Sequence, residues 1–260
     1  MVTQPWRSPA PGRPPVPLPP QRMPLVRGGR PLKRWTYVGA YGPELMVCAA
    51  SARIGVVPVA WWAIWDRAAR RLIQGHHSVR LESHRVTVPG RFELALGDGA
   101  PVEVVSPHGR QYAWTRKRAI TVRGQVLGRP VDLSAIVDES AGYHARHTAW
   151  RWSAGVGTAA SGEPVAWNLV EGIHDGDDVS ERTVWIAGEP RHVPPQPFAA
   201  DLSAVGGLRF TREAVRAARE NLVLLRSDYE QPFGAFAGEL PDAGPLREGW
   251  GVMERHEVTW

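Results

Sequence analysis

From Trp35 onward the chain consists of short runs rich in Val, Trp, Tyr and Thr, cut at close intervals by glycine and proline, and no other feature limits its fold so tightly. The runs are WTYVGAY, ELMVCAASARIG, VVPVAWWAIWD, VRLESHRVTV, FELALG, VEVVSP, RQYAWTRK, AITVRGQVLG and VDLSAIVD. After a central stretch come VAWNLVEGIH, RTVWIAG and LRFT. β-Branched and aromatic residues suit a pleated, half-buried surface, and the intervening turn residues, as at Gly97-Asp98-Gly99, suit hairpins. Short strands at regular spacing predict an all-β chain of antiparallel sandwich or barrel lobes rather than βαβ repeats. The exception is TREAVRAARENLVLLR, where Thr211 suits a cap and Ala, Arg and Glu favour helix. A short helix is expected at about 211–220, with strand resuming over 222–229.

Three regions are expected. Residues 1–30 are so rich in proline (Pro5, Pro9, Pro11, Pro14, Pro15, Pro17, Pro19, Pro20, Pro24) that neither helix nor sheet can persist, leaving an extended tail or strap. Residues 31–130 form an N-terminal β lobe, and residues 131–260 a C-terminal β lobe carrying the central motif. At 260 residues the chain is long enough to bury a core without a staple. Cys48 is the single cysteine, which excludes an intramolecular disulfide and fits a cytoplasmic protein. The longest apolar runs, Leu45 to Ala50 and Val56 to Trp65, are too short for a spanning helix, so stable membrane insertion is not expected.

The formal charge of +5 is unevenly placed. Residues 1–35 hold seven basic side chains and no acid, which leaves 24 basic against 26 acidic residues in the remainder. A phosphate-binding surface needs clustered basic groups, and beyond the tail only Arg116, Lys117 and Arg118 run together. Nucleic acid is therefore not an expected partner.

Candidate chemistry concentrates in DESAGYHARHTAWRWSAG, Asp138 to Gly155. If residues 145–154 form a strand, alternation sends His144, Thr148, Trp150 and Trp152 to one face and His147, Ala149, Arg151 and Ser153 to the other. Two indoles beside an imidazole make either a core slab or a pocket wall. The preceding Asp138, Glu139, Ser140, Gly142 and Tyr143 form a turn-like entry that brings carboxylate and hydroxyl toward His144. General acid/base chemistry without a cofactor, of a lyase or isomerase kind, would use Asp138, His144, Glu171 or His174. Ser140, Tyr143, His147, Trp150, Trp152 and Trp167 would contact the ligand. Indoles stabilise developing positive charge, and apolar walls shift carboxyl and imidazole pKa values. The same residues would serve plain ligand binding, and the sequence does not separate the two.

Other constellations are weaker. A metal site would draw on His144, His147, Glu171, His174 or Asp175, but His-x-x-His lacks the helical zinc spacing and a strand turns its two imidazoles apart. No metal is assigned. A Ser140/His144/Asp138 triad has the residue types without the nucleophile elbow. No phosphate loop or dinucleotide fingerprint implies a nucleotide cofactor. In the terminal GVMERHEVTW, Glu254, His256, Val258 and Trp260 share one face. A solvent-facing pair is the common arrangement there, and an interior one would be unusual.

These residues carry a resemblance. GRPLKRW, YGPELMVCAA, AWWAIWD, AWTRK, DESAGYHARHTAWRWSAG, AWNLVEGIHD, SERTVW, ENLVLLRSDYEQPFGAFAG and GWGVMERHEVTW are similar to the bacterial family catalogued as domain of unknown function 2804. More distantly, the acid-rich turn leading into a Trp-rich strand resembles the carotenoid hydratase and tocopherol cyclase group. That resemblance implies tandem lipocalin-like (calycin) lobes with an apolar ligand between or inside them, and no redox cofactor. It makes Asp138, His144 and Trp150 candidates for protonation and cation stabilisation. The expected function is binding of a small apolar or amphipathic molecule, with cofactor-free hydration, cyclisation or isomerisation as its catalytic form. A non-catalytic binding or scaffold protein and a metal-dependent hydrolase are the alternatives, and oligomeric state is not legible.

Overall fold

The computed structural model describes residues 4–221 and 226–260. Among them there is no helix, and thus none long and apolar enough to cross a membrane. The strands fall into one sheet of eleven, one of eight and a two-stranded ribbon, with every pairing antiparallel.

Both large sheets follow one plan. In the first, the chain steps outward through Lys33–Tyr41, Leu45–Ile54, Val57–Asp66 and Arg71–His76. It then jumps to the far edge and steps back through Arg80–Glu82, Arg85–Val88, Phe92–Leu96 and Gln111–Val126. Arg129–Gly142 follows and pairs with Lys33–Tyr41, where the sheet began. In the second, His147–Ala159, Pro164–Glu171, Thr183–Ile186 and Glu189–His192 step outward. Ala204–Val205, Leu208–Asn221, Arg226–Leu240 and Gly244–Thr259 return, and the last strand pairs with the first. Apart from Trp6–Arg7 and Pro101–His108, which pair with each other and extend the first sheet along Gln111–Val126, each sheet is an up-and-down meander open between two consecutive strands, which is an open, lipocalin-like barrel.

Alternation along the strands builds three apolar layers. Val38, Ala40, Val47, Ile64, Leu94, Val122 and Val137 fill the inside of the first lobe. Trp167, Leu169, Val184, Phe210, Phe236 and Met253 fill the second. The opposite faces of the same strands pack lobe against lobe, with Tyr37, Met46, Cys48, Trp65 and Ile136 meeting Trp152, Ala154, Ala166, Trp185 and Phe233.

Arg129–Gly142, which spans the boundary expected at residue 130, pairs with Gln111–Val126 on one side and Lys33–Tyr41 on the other, within the first sheet. Several expectations need correction. Gly97-Asp98-Gly99 is not a hairpin turn. It joins Phe92–Leu96 to Pro101–His108, and both of these pair along the same long neighbour, Gln111–Val126. Glycine is needed there because a Cβ on Gly99 would lie 2.0 Å from the Ala119 carbonyl oxygen.

The segment expected to be helical at 211–220 is strand, because its backbone pairs with Arg226–Leu240 throughout and that pairing overrides local propensity. A bulge between Arg212 and Ala214 reverses its alternation: Leu208 and Phe210 face their own lobe's core, whereas Ala214 packs on the interlobe layer and Arg216 is buried. Of the expected 222–229 strand, residues 222–225 lie outside the described residues, and Arg226 onward is strand.

The proline-rich segment is a strap. Leu18 and Met23 are buried against Leu32, Tyr112, Trp114 and Tyr143. Prolines lack N–H groups but keep carbonyls that need donors. Tyr112 donates its hydroxyl to the Pro17 carbonyl (2.7 Å) and Tyr143 to that of Pro24 (2.8 Å). Arg7 reaches the second lobe, donating to the Ser180 carbonyl at 2.7 Å and the Thr183 hydroxyl at 3.0 Å.

Candidate functional site

The interlobe layer opens into a cavity of about 180 Å³, comparable with the roughly 150 Å³ apolar cavity that takes up a benzene ring. Register explains the hollow. Ala50 lies between Tyr37 and Trp61, and Ala52 between Trp35 and Val59, so small side chains are flanked by large ones across three adjacent strands. Trp150, Trp152 and Tyr229 supply the facing wall from the second lobe. Trp35 and Trp150 stack in parallel with ring centres 6.4 Å apart. Partly exposed Ile54, Val59 and His76 mark the mouth.

Four polar features line this aromatic chamber. The first is an ion cluster. Lys117 and Asp138 are cross-strand neighbours 2.5 Å apart, and Glu181 approaches the same ammonium at 3.1 Å from the second lobe. Burial disfavours the Lys117 ammonium, but the two carboxylates outweigh that and hold its pKa above the usual value. Glu181 is pushed up by burial and by the Asp138 charge, with Lys117 opposing. One cation thus serves two buried carboxylates.

The second is Glu254. Its carboxylate accepts hydrogen bonds from Trp150 Nε1 (2.8 Å) and Gln231 Nε2 (2.9 Å). Burial, reinforced by the Asp138 charge and opposed by these donors, raises its pKa to about 7. A carboxyl in this state both gives and takes a proton at neutral pH. The third is His256, whose ring lies 4.4 Å from that of Trp150 and whose Nε2 hydrogen-bonds Ser227 Oγ at 2.8 Å. Burial and the Arg216 charge lower its pKa to about 4, so it stays neutral at pH 7.

The fourth is Arg216, buried at 5% exposure, with its guanidinium 5.3 Å from the Trp61 ring centre and 4.9 Å from that of Tyr229. Among the described residues it makes no hydrogen bond and has no carboxylate within ion-pair distance. The bulge described above is what aims it here.

At one end of the chamber stand three imidazoles. His108, His144 and His174 have ring centres 5.3, 5.5 and 5.8 Å apart, and one nitrogen from each lies within 4.8 Å of the others. Both ring nitrogens of His144 and of His174 are buried without a hydrogen-bond partner among the described residues. Burial and the neighbouring imidazole and lysine charges hold the pKa of each well below the usual histidine range.

The residues predicted from sequence are partly dispersed. Asp138, His174, Trp150 and Trp152 line the chamber, and buried His144 stacks on its wall residue Trp35 at 5.1 Å. Glu171 and His147 do not join them. Glu171 is half-exposed and pairs with Arg151 at 2.7 Å, and His147 is exposed beside Glu257. Trp167 fills the second lobe's interior, donating to Ser153 Oγ at 3.1 Å. Tyr143 holds the strap, and Ser140 is buried outside the chamber lining. Glu254 and His256 take the interior arrangement that sequence reasoning treated as the unusual one. Lys117, Glu181, Arg216 and Gln231 were missed. For Lys117 a signal existed, since Ile120 and Val122 face the lobe core and alternation then turns residue 117 the other way.

A family profile described as "Domain of unknown function (DUF2804)" matches residues 103–260. No curated protein matches the chain. Among solved structures, the AttH candidate of Nitrosomonas europaea is 12% identical, with 92% of this chain and 98% of that one covered at a TM-score of 0.41. Kievitone hydratase from Nectria haematococca is 9% identical, with 86% and 88% covered at a TM-score of 0.41. CghA is 11% identical, with 88% of each chain covered at a TM-score of 0.36.

Proposed function

The chain belongs to the family of the domain of unknown function 2804, and for this member we propose that the interlobe chamber binds a small amphipathic molecule and carries out acid/base chemistry on it through Glu254. The observation that carries the reading is the buried Glu254 carboxyl on the cavity wall, held by Trp150 and set among indole and phenol rings, where burial raises its pKa. The apolar body of the ligand lies against Trp35, Trp150 and Trp152. Its anionic end meets Arg216, a buried cation with no carboxylate within ion-pair distance among the described residues, which an incoming anion would pair.

The protonated Glu254 carboxyl delivers its proton to an electron-rich double bond, and the surrounding rings stabilise the positive charge that develops. Addition of water, capture by a second double bond, or loss of a neighbouring proton then gives hydration, cyclisation or isomerisation. Each ending returns one proton to the carboxylate, so the cycle closes. Asp138 is the weaker candidate for this role because Lys117 already holds its charge.

The test uses trans-cinnamate and cinnamyl alcohol, which share an aromatic body and differ in charge, followed by tryptophan fluorescence and calorimetry. The expected result is saturable binding of the carboxylate at least tenfold tighter than the alcohol, with that preference lost in Arg216→Met. Equal binding of both probes by the wild type, or an unchanged preference in the variant, would overturn the reading. Methionine keeps an unbranched apolar stem against Trp61 and Tyr229, and far-ultraviolet circular dichroism of Arg216→Met checks that the variant is folded.

A further inference from the structure

We infer that His108, His144 and His174 form a binding site for one divalent transition-metal ion of the zinc class, with a fourth coordination position left for water or a ligand. The three come from distant parts of the chain. His108 ends the strand Pro101–His108, His144 lies in the segment joining the two lobes, and His174 follows the strand Pro164–Glu171. Three imidazoles bound tetrahedrally through nitrogens about 2.0–2.1 Å from one ion have ring centres about 5 Å apart. The observed separations of 5.3, 5.5 and 5.8 Å need only small side-chain rotations to reach that arrangement.

The burial pattern points the same way. A structural histidine cluster satisfies its ring nitrogens with protein partners, and unsatisfied ones cost free energy. His144 and His174 are 1% and 5% exposed, yet all four of their ring nitrogens lack a partner among the described residues. His108 is the least buried of the three and offers the entry path.

Lys33 and Arg30 donate to carbonyls of this cluster, Lys33 to that of His144 at 3.4 Å and Arg30 to that of His108 at 3.3 Å. Their charges oppose a bare dication and favour an anion, such as hydroxide or carboxylate, on the open position. His174 also lines the chamber, so the ion would border the cavity. The inference stands whether or not Glu254 transfers a proton.

The experiment takes the full chain, freed of any affinity tag and stripped with chelator, and titrates it with Co(II) alone. One equivalent should bind, with the intense visible absorption of a four-coordinate cobalt, and Zn(II) should bleach it. His108→Ala, at the least buried ligand, should keep its far-ultraviolet circular dichroism and bind Co(II) at least tenfold more weakly. His84→Ala, at an exposed histidine, should bind as the wild type does. Absence of stoichiometric Co(II) binding by the wild type, or equal affinity in a folded His108→Ala protein, would overturn the inference. Calorimetry of Zn(II) with both variants supplies the same comparison without a spectroscopic signal.

Discussion

The inner face of each open barrel and the face it turns to the other lobe are built from the same strands, yet they hold different chemistry. Inside, residues such as Ile64, Leu94 and Val122 make a solid apolar filling in the first lobe, and Trp167, Leu169 and Phe236 do so in the second. Between the lobes lie Lys117, Asp138, Glu181, Glu254, His256 and Arg216, each buried or nearly so. Barrel interiors can hold ligands, but here the interior is occupied by side chains and the hollow lies outside both barrels. Docking of two lobes is thus what removes the ionisable groups from water and shifts their pKa values, a service neither lobe supplies alone.

The sharpest way to break this contrast is Lys117→Met, which leaves Asp138 and Glu181 buried side by side without their shared cation. Loss of one partner from a buried charge cluster costs about 3–5 kcal/mol, and equilibrium denaturation at pH 7 should show it. A loss below roughly 1 kcal/mol would mean the cluster is solvated and the interlobe face is not distinct.

Next in size is Glu254→Gln. The folded carboxyl titrates at about 7, against about 4.3 in an unfolded chain. Its stabilising contribution is therefore complete below the unfolded value and lost as pH rises to 7, a change on the order of 3 kcal/mol. His256 slopes the other way. Its pKa of about 4 makes its contribution complete above the ordinary histidine value and lost as pH falls toward 4. The wild type should show partial cancellation between pH 4.5 and 7, whereas Glu254→Gln should lose stability steadily on acidification. Denaturation midpoints across that window give the answer, and parallel curves for the two proteins would deny Glu254 its raised pKa.

The smallest effect is Ile64→Val in the first lobe's interior. Removing one methylene there costs about 0.5–1.5 kcal/mol and should leave cinnamate affinity unchanged, because the side chain faces away from the chamber. An affinity change of tenfold would mean that the two faces are coupled.

Much of this was readable from the chain, because strand periodicity is a local property. The all-β class, the extended proline-rich segment and the shared face of Trp150 and Trp152 follow from runs, breaks and alternation. Alternation cannot say which face is core and which is site. Trp152 and Trp167 look alike in sequence, yet register sets Trp152 opposite Val170 and Trp167 opposite Gly155, so one indole walls the chamber and the other fills a barrel. It also fails at bulges, since the extra residue near Glu213 sends Arg216 to the site within a segment whose composition favours helix.

The sequence by itself determined how the chain alternates and where it must turn, since these depend on side-chain shape and backbone freedom within a few residues. Only the tertiary structure decided which charges meet. Lys117 finds Glu181, His108 finds His174, and Arg216 finds Trp61, because the closure of two sheets and their docking fix distances that no local spacing encodes.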